Sequence, residues 1–197
     1  RDPDAKNDAS EHAARGVWQE LPLVNLMRAR VADWRALALR GEGGVTRTTC
    51  DLLNYWRRDG RQHRLFFAQL EAAETIIFLN EARADFLQGL DIPLDEPSET
   101  QKATGSTAFR RYACKMATGS GKTTVMAMLT AWSLLNKAAN KSDARFSEAV
   151  LVVCPNVTIR SRLQELNPTH GEASLYRTRD LVPPHLMPDL CKGRVLV

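Results

Sequence analysis

Cysteine is scarce in this chain of 197 residues: Cys50, Cys114, Cys154 and Cys191 are the only four, and no two stand in a C-x-x-C spacing. That excludes the usual signatures of a zinc ribbon and of a redox dithiol. The thiols read instead as small apolar residues of a reducing compartment, and Cys114 and Cys154 fall in apolar runs that predict buried strands. Long apolar runs are also missing. No stretch reaches the ~18 residues of a bilayer-spanning helix, so no membrane partner is expected. Charge of one sign is not in excess either. The 27 Lys and Arg stand against 23 Asp and Glu, a net +4 that permits a nucleic-acid partner without demanding one. No internal repeat of ~20–50 residues recurs. The opening Arg1-Asp2-Pro3-Asp4 has neither an initiator Met nor the apolar segment of a secretory leader. It reads as the cut end of something longer, and residues 194–197 read as a strand stopped midway.

What is present is enough for one globular α/β domain with a small accessory region: 44% hydrophobic and 25% charged residues. Residues 1–20 are polar and weakly patterned. From 22 to 40, Leu23, Leu26, Met27, Val31, Trp34, Leu37 and Ala38 recur at helical spacing, behind a Pro suited to a first turn and ahead of a glycine-rich stop at 41–44. A second helix is predicted over 48–58 and a third over 65–84. Trp34, Tyr55 and Trp56 are expected in the core rather than as a base-stacking platform. Arg57, Arg58, Arg61, His63 and Arg64 form a basic cluster, read as a solvated loop or as a phosphate contact. Residues 85–110, punctuated by Pro93, Pro97, Gly105 and Ser106, are expected to be a surface loop or mobile insertion. After Arg110 the texture becomes α/β. Strands are predicted over 112–116, 148–154 and 193–197, helices over 121–136 and 157–166, and at most a broken helix over 181–190. Alternation of this kind implies a parallel sheet with helical crossovers.

The strongest motif is Met116-Ala117-Thr118-Gly119-Ser120-Gly121-Lys122-Thr123, a phosphate-binding P-loop placed between a predicted strand and a predicted helix. Glycines at 119 and 121 let the backbone curl so that several N–H groups face one anion. The helix that follows adds the positive end of its dipole. Lys122 is the candidate cation for the β- and γ-phosphates of ATP, and the Thr123 hydroxyl the candidate ligand of Mg²⁺. Those two are the candidate catalytic residues, with Thr118, Gly119, Ser120, Gly121 and Thr124 completing the nucleotide-binding set. The strict pattern asks for Gly at 116, where this chain has Met. The similar Ala103-Thr104-Gly105-Ser106 lacks the following Gly-Lys and is a decoy.

M-A-T-G-S-G-K-T resembles the motor subunits of restriction enzymes and their relatives in helicase superfamily 2. Residues 65–72, Leu-Phe-Phe-Ala-Gln-Leu-Glu-Ala, look like that family's Q motif, which implies that Gln69 pairs with the adenine edge. Phe66 and Phe67 are adjacent and cannot share one helix face, so one is expected in the core. Residues 149–156, ending Cys154-Pro155-Asn156, look like motif Ia. By that resemblance Asn156, Thr158 and Arg160 face a nucleic-acid backbone, although Thr158 could equally be a simple N-cap. The closest likeness is to the Res subunit of type III restriction enzymes, over residues 62–197.

The resemblance implies a partial RecA-like domain over 61–197, a parallel sheet with flanking helices, preceded by a helical region over 1–60 of unknown role. It further implies an ATP- and Mg²⁺-dependent translocase of a prokaryotic, cytoplasmic defence system. Duplex DNA would be its partner, together with a methyltransferase or another restriction subunit. An acidic box for Mg²⁺, a second lobe and a nuclease domain are not found and are expected beyond Val197, so this segment should bind ATP without efficient turnover. Two other classes stay open: a P-loop NTPase that does not act on nucleic acid, and an ATP-gated scaffold.

Overall fold

The computed structural model describes residues 22–92 and 94–197; the readings of residues 1–20 and of Pro93 lie outside them. Helix α1, Pro22–Ala38, opens on its proline and buries Val31, Trp34 and Ala38. The glycine stop then wraps back, and Trp34 Nε1 donates to the Gly43 carbonyl at 3.2 Å. Helix α2, Arg47–Arg57, is capped by Thr46, whose hydroxyl accepts from the Thr49 N–H, and it buries Leu52, Leu53 and Trp56. Helix α3 runs Phe67–Glu81. Two short helices follow, α4 at Ala84–Leu87 and α5 at Glu99–Ala103. Helix α6, Lys122–Ala139, is rich in Ala, Leu and Met, strong helix formers, and is buried along most of its length. It is the axle of the fold, because α2, α3 and the short helices over 175–178 and 187–190 all pack on it.

The core is continuous from α1 to the end of the chain. Trp34, Trp56, Phe78, Met128, Leu134, Tyr176, Leu181 and Leu190 are each at most 1–2% exposed. Trp34 meets Phe78 edge-on at 5.5 Å, and Trp132 meets Phe146 at 5.2 Å. Within this apolar mass sits one carboxylate, Glu81. It accepts from the Thr49 hydroxyl at 2.6 Å, the Trp132 indole at 2.5 Å and the Thr46 N–H at 2.9 Å. Burial raises its pKa above the ordinary value, and the three hydrogen bonds oppose that rise. A second buried acid, Glu74, takes both Arg35 and Arg57. These two groups tie α1, α2, α3 and α6 together, which explains how charged side chains survive there.

Strand β3, Ala149–Leu151, pairs in parallel with β4, Arg194–Leu196, Val150 standing opposite Val195. The crossover between them carries α7 at Val157–Leu163, α8 at Leu175–Thr178 and α9 at Met187–Leu190, with single 3₁₀ turns before α8, after α7 and before α9. The predicted parallel sheet is therefore present at two of its three expected strands. The third is not: residues 111–117 form no regular structure. A strand needs a neighbour to receive its N–H and C=O groups, and this run has none. Cys114 accordingly lies exposed and Cys154 half-buried rather than inside strands. The expected burial of the 148–154 strand is also corrected, since Leu151 is 71% and Val153 84% exposed while Val152 alone turns inward.

The 85–110 stretch is not a featureless loop. Strand β1, Leu94–Asp95, pairs antiparallel with β2, Phe109–Arg110, enclosing α5. Ser98 caps α5 and Gln101 returns the bond to the Ser98 N–H at 2.9 Å, a capping box legible as Ser-x-x-Gln. None of the described residues from 82 to 123 is fully buried, but Phe86, Leu87, Leu90 and Ile92 pack against the core and Arg110 donates to the Leu79 carbonyl at 3.1 Å, which tie the insertion down.

Candidate nucleotide site

Residues 117–121 make the turn that ends in α6. Gly119 and Gly121 adopt left-handed φ angles of 81° and 84°, and Gly121 is the N-cap of the helix. Lys122 and Thr123 thus occupy the first turn, where unpaired backbone N–H groups and the positive dipole end gather. Three donors converge on the Ala117 carbonyl: the Ser120 N–H at 3.3 Å, the Ser120 hydroxyl at 2.7 Å and Lys122 Nζ at 2.8 Å. The loop is closed on itself, and the Lys122 ammonium is held at its exposed rim.

The opposite wall is the first turn of α3, which delivers Gln69. This side chain is 6% exposed and bridges two segments. Its Oε1 accepts from the Phe66 N–H at 2.9 Å, and its Nε2 donates to the Ser120 carbonyl at 3.2 Å. A Cβ on Gly121 would stand 2.0 Å from that nitrogen. A side chain there would have to push the end of Gln69 off the turn. One amide proton and one lone pair of Gln69 are not used by these two bonds.

Two adjoining cavities lie along this contact. The smaller, about 210 Å³, is lined by Gln69, Gly119, Gly121 and Thr124 together with His63, Arg64, Phe66 and Arg179. The larger and more open, about 450 Å³, is lined by Gly121, Thr123, Thr124, Glu165, Thr178 and Arg179. The fold thus brings Gln69, Gly119, Gly121, Thr123 and Thr124 together, with Ser120 joined through its carbonyl and Lys122 one residue away. Thr118 is exposed in the turn. Asn156, Thr158 and Arg160 line neither cavity. Asn156 is the N-cap of α7, its Oδ1 accepting from the Ile159 N–H at 2.9 Å, and Arg160 Nε donates to the Val197 carbonyl at 3.0 Å. Thr158 is exposed, and the N-cap considered for it belongs to Asn156.

Two expectations change here. Phe66 and Phe67 are 61% and 67% exposed, so neither is core. Phe66 is the cap residue and Phe67 the first helical one, both off the stripe of Ala73, Ile77 and Phe78. The basic cluster is mostly engaged rather than solvated. Arg57 grips Glu74 with two nitrogens, and Arg58 pairs with Asp180. Arg61 donates to the carbonyls of Tyr55, His63 and Arg179. Burial, and then the neighbouring Arg58, pull the Arg61 pKa below its ordinary value.

Sequence reasoning missed Glu165, Thr178 and Arg179, which belong to no motif; only the fold carries them to the loop. Residues 62–174 match the sequence pattern of the family described as type III restriction enzyme, res subunit. No curated protein and no solved structure matches the chain. The matched segment spans Gln69, the whole 117–123 turn and α7, and it stops short of Arg179.

Proposed function

Since the chain belongs to the family of type III restriction enzyme res subunits, which are helicase-like ATPases, we propose that residues 61–197 are the ATP-binding part of a nucleic-acid-dependent motor of the restriction-enzyme type. RecA-like architecture follows from the family, and the parallel β3–β4 pair fits it. In this reading the backbone N–H groups of residues 119–124 cradle the phosphates, and Lys122 leaves the Ala117 carbonyl to meet the β- and γ-phosphates. The Thr123 hydroxyl ligates the Mg²⁺ that accompanies them. Gln69 turns its remaining amide valences to the adenine edge, with Phe66 beside it. Duplex DNA is the proposed partner, Thr158 and Arg160 facing its backbone, in a prokaryotic cytoplasm alongside a methyltransferase or another restriction subunit.

The observation that carries this reading is the bond from Gln69 to the Ser120 carbonyl across a glycine with no room for a methyl group. An ordinary turn before a helix needs no such strap from a separate helix. The test is ATP turnover by the intact native polypeptide with duplex DNA, single-stranded DNA, RNA or no nucleic acid, beside Lys122→Ala. Severalfold stimulation by duplex DNA, absent in the variant, is the expected result. Turnover that stays flat with every nucleic acid would sink the motor and leave an ATP-gated scaffold.

A further inference from the structure

Three successive residues, 179 to 181, are pinned from α2 and the loop after it. Arg61 Nη2 donates to the Arg179 carbonyl at 2.8 Å. The Asp180 carboxylate accepts from the Tyr55 hydroxyl and from the Arg58 guanidinium, which itself lies 3.6 Å over the Tyr55 ring. The Trp56 indole donates to the Leu181 carbonyl at 2.7 Å, and Leu181 is fully buried. Asp180 has φ of 53°, the only non-glycine residue in the left-handed region among the described residues. Its backbone is that of an ordinary helix end: the Leu181 N–H donates to the Tyr176 carbonyl at 2.9 Å and the Asp180 N–H to the Arg177 carbonyl at 3.0 Å, which close α8. Four side chains hold that end in place.

The residue carried on this held turn is Arg179. Its guanidinium makes no hydrogen bond, ion pair or ring contact within the described residues, and the residue lines both cavities at the 117–123 turn, beside Gln69 in one and Thr123 in the other. A guanidinium with no protein partner, carried by an anchored helix end beside a phosphate-binding turn, is arranged for an anion rather than for packing. Lys122 stands at the other end of the loop, bonded to the Ala117 carbonyl. Arg179 lines both cavities across from it, with Thr124 in each.

We infer that Arg179 is a nucleotide-contacting residue, supplying a positive charge to the phosphate chain of a nucleoside di- or triphosphate, and that Tyr55, Arg58 and Arg61 position the helix end that carries it. The inference rests on the proposed nucleotide site. It goes further in making the region before residue 62 part of that site, since the anchor and the charge both lie outside the segment that the family pattern matches.

The test is calorimetric titration of the intact protein with Mg-ATP and with Mg-ADP, comparing wild type, Arg179→Gln, Arg179→Lys, Tyr55→Phe and Lys122→Ala. Arg179→Gln should weaken both nucleotides by roughly tenfold, the usual scale for one charge-assisted contact. Arg179→Lys should recover most of that, and Tyr55→Phe should fall between wild type and Gln. Arg179 is exposed, so Arg179→Gln should melt with wild type, which separates lost binding from lost fold. If Arg179→Gln binds both nucleotides within twofold of wild type while Lys122→Ala loses ATP, the inference is overturned and the site reading stands. If wild type takes up neither nucleotide, the site reading fails and takes the inference with it.

Discussion

At Gly121 a single methyl group separates two outcomes. Gly121→Ala meets the Gln69 amide nitrogen at 2.0 Å and also forces a side chain onto φ of 84°. Gly119 shares the left-handed backbone, yet nothing lies within 4 Å of its missing Cβ. Gly119→Ala should therefore cost only the conformational term, about 1 kcal/mol. Gly121→Ala should cost about 2–4 kcal/mol by urea unfolding, because displacing the Gln69 amide also forfeits its bonds to the Phe66 N–H and the Ser120 carbonyl, and it should abolish ATP uptake. Equal losses for the two variants would mean that Gln69 is not pressed against the turn. Much of the site was legible at this scale, because T-G-S-G-K-T prescribes the backbone its glycines adopt. Arg179 was not legible. Nothing in Tyr-Arg-Thr-Arg-Asp announces a place beside the turn, and residues 179–181 meet Tyr55, Trp56, Arg58 and Arg61 only once the chain has folded.

Helix α3 shows why an element can be located correctly and its surface misread. Its existence follows from the apolar period, but its first residue is Phe67, so Phe66 and Phe67 fall outside the buried stripe. Gln69 sits where it can close the helix end and reach the turn at once, two duties for one amide. Gln69→Glu keeps an acceptor for the Phe66 N–H but sets a carboxylate oxygen against the Ser120 carbonyl. The variant should lose about 1–3 kcal/mol of stability and bind ATP more weakly. If Gln69 also reads the base, the ratio of ATP to GTP affinity should collapse toward one; an unchanged ratio would leave it a strap alone. The missing strand at 112–116 teaches the complementary lesson. Periodicity identifies a segment that is able to pair, whereas pairing depends on a neighbour that no local pattern supplies. Conversely, Ser98-Glu99-Thr100-Gln101 carried a readable cap inside what looked like loop, because proline and glycine nearby masked it.

On the scale of the molecule, α1 and α2 are not appended to the α/β part but share its core. Trp56 is the clearest link: 1% exposed, packed among the apolar residues of that core and donating to the Leu181 carbonyl. Trp56→Ala should cost about 3–5 kcal/mol, leave that carbonyl unmet, and loosen the 179–181 anchor. Urea unfolding should then show one shifted transition rather than two, with nucleotide affinity reduced well before the fold is lost. A second, unshifted transition would mean that the helices before residue 60 fold apart from the rest. The chain's α/β class and the order of its later strands could be read from pattern alone. The joining of the two regions could not, because it runs through Glu81, Glu74 and Asp180, acids whose sequence surroundings look like those of any surface carboxylate.

The hydrogen bond between Glu81 and the Trp132 indole has an optical consequence. Trp132 lies on α6 ten residues beyond Lys122, about 15 Å along a helix that behaves as a rod. Indole emission responds to the polar group held against its ring nitrogen, and here that group is the buried Glu81 carboxyl on a different helix. Any pull on the Lys122 end that slides or tilts α6 changes the separation of that pair. If nucleotide shifts α6, the Trp132 share of the emission should change, and Trp132→Phe should remove that change while the other tryptophans stay.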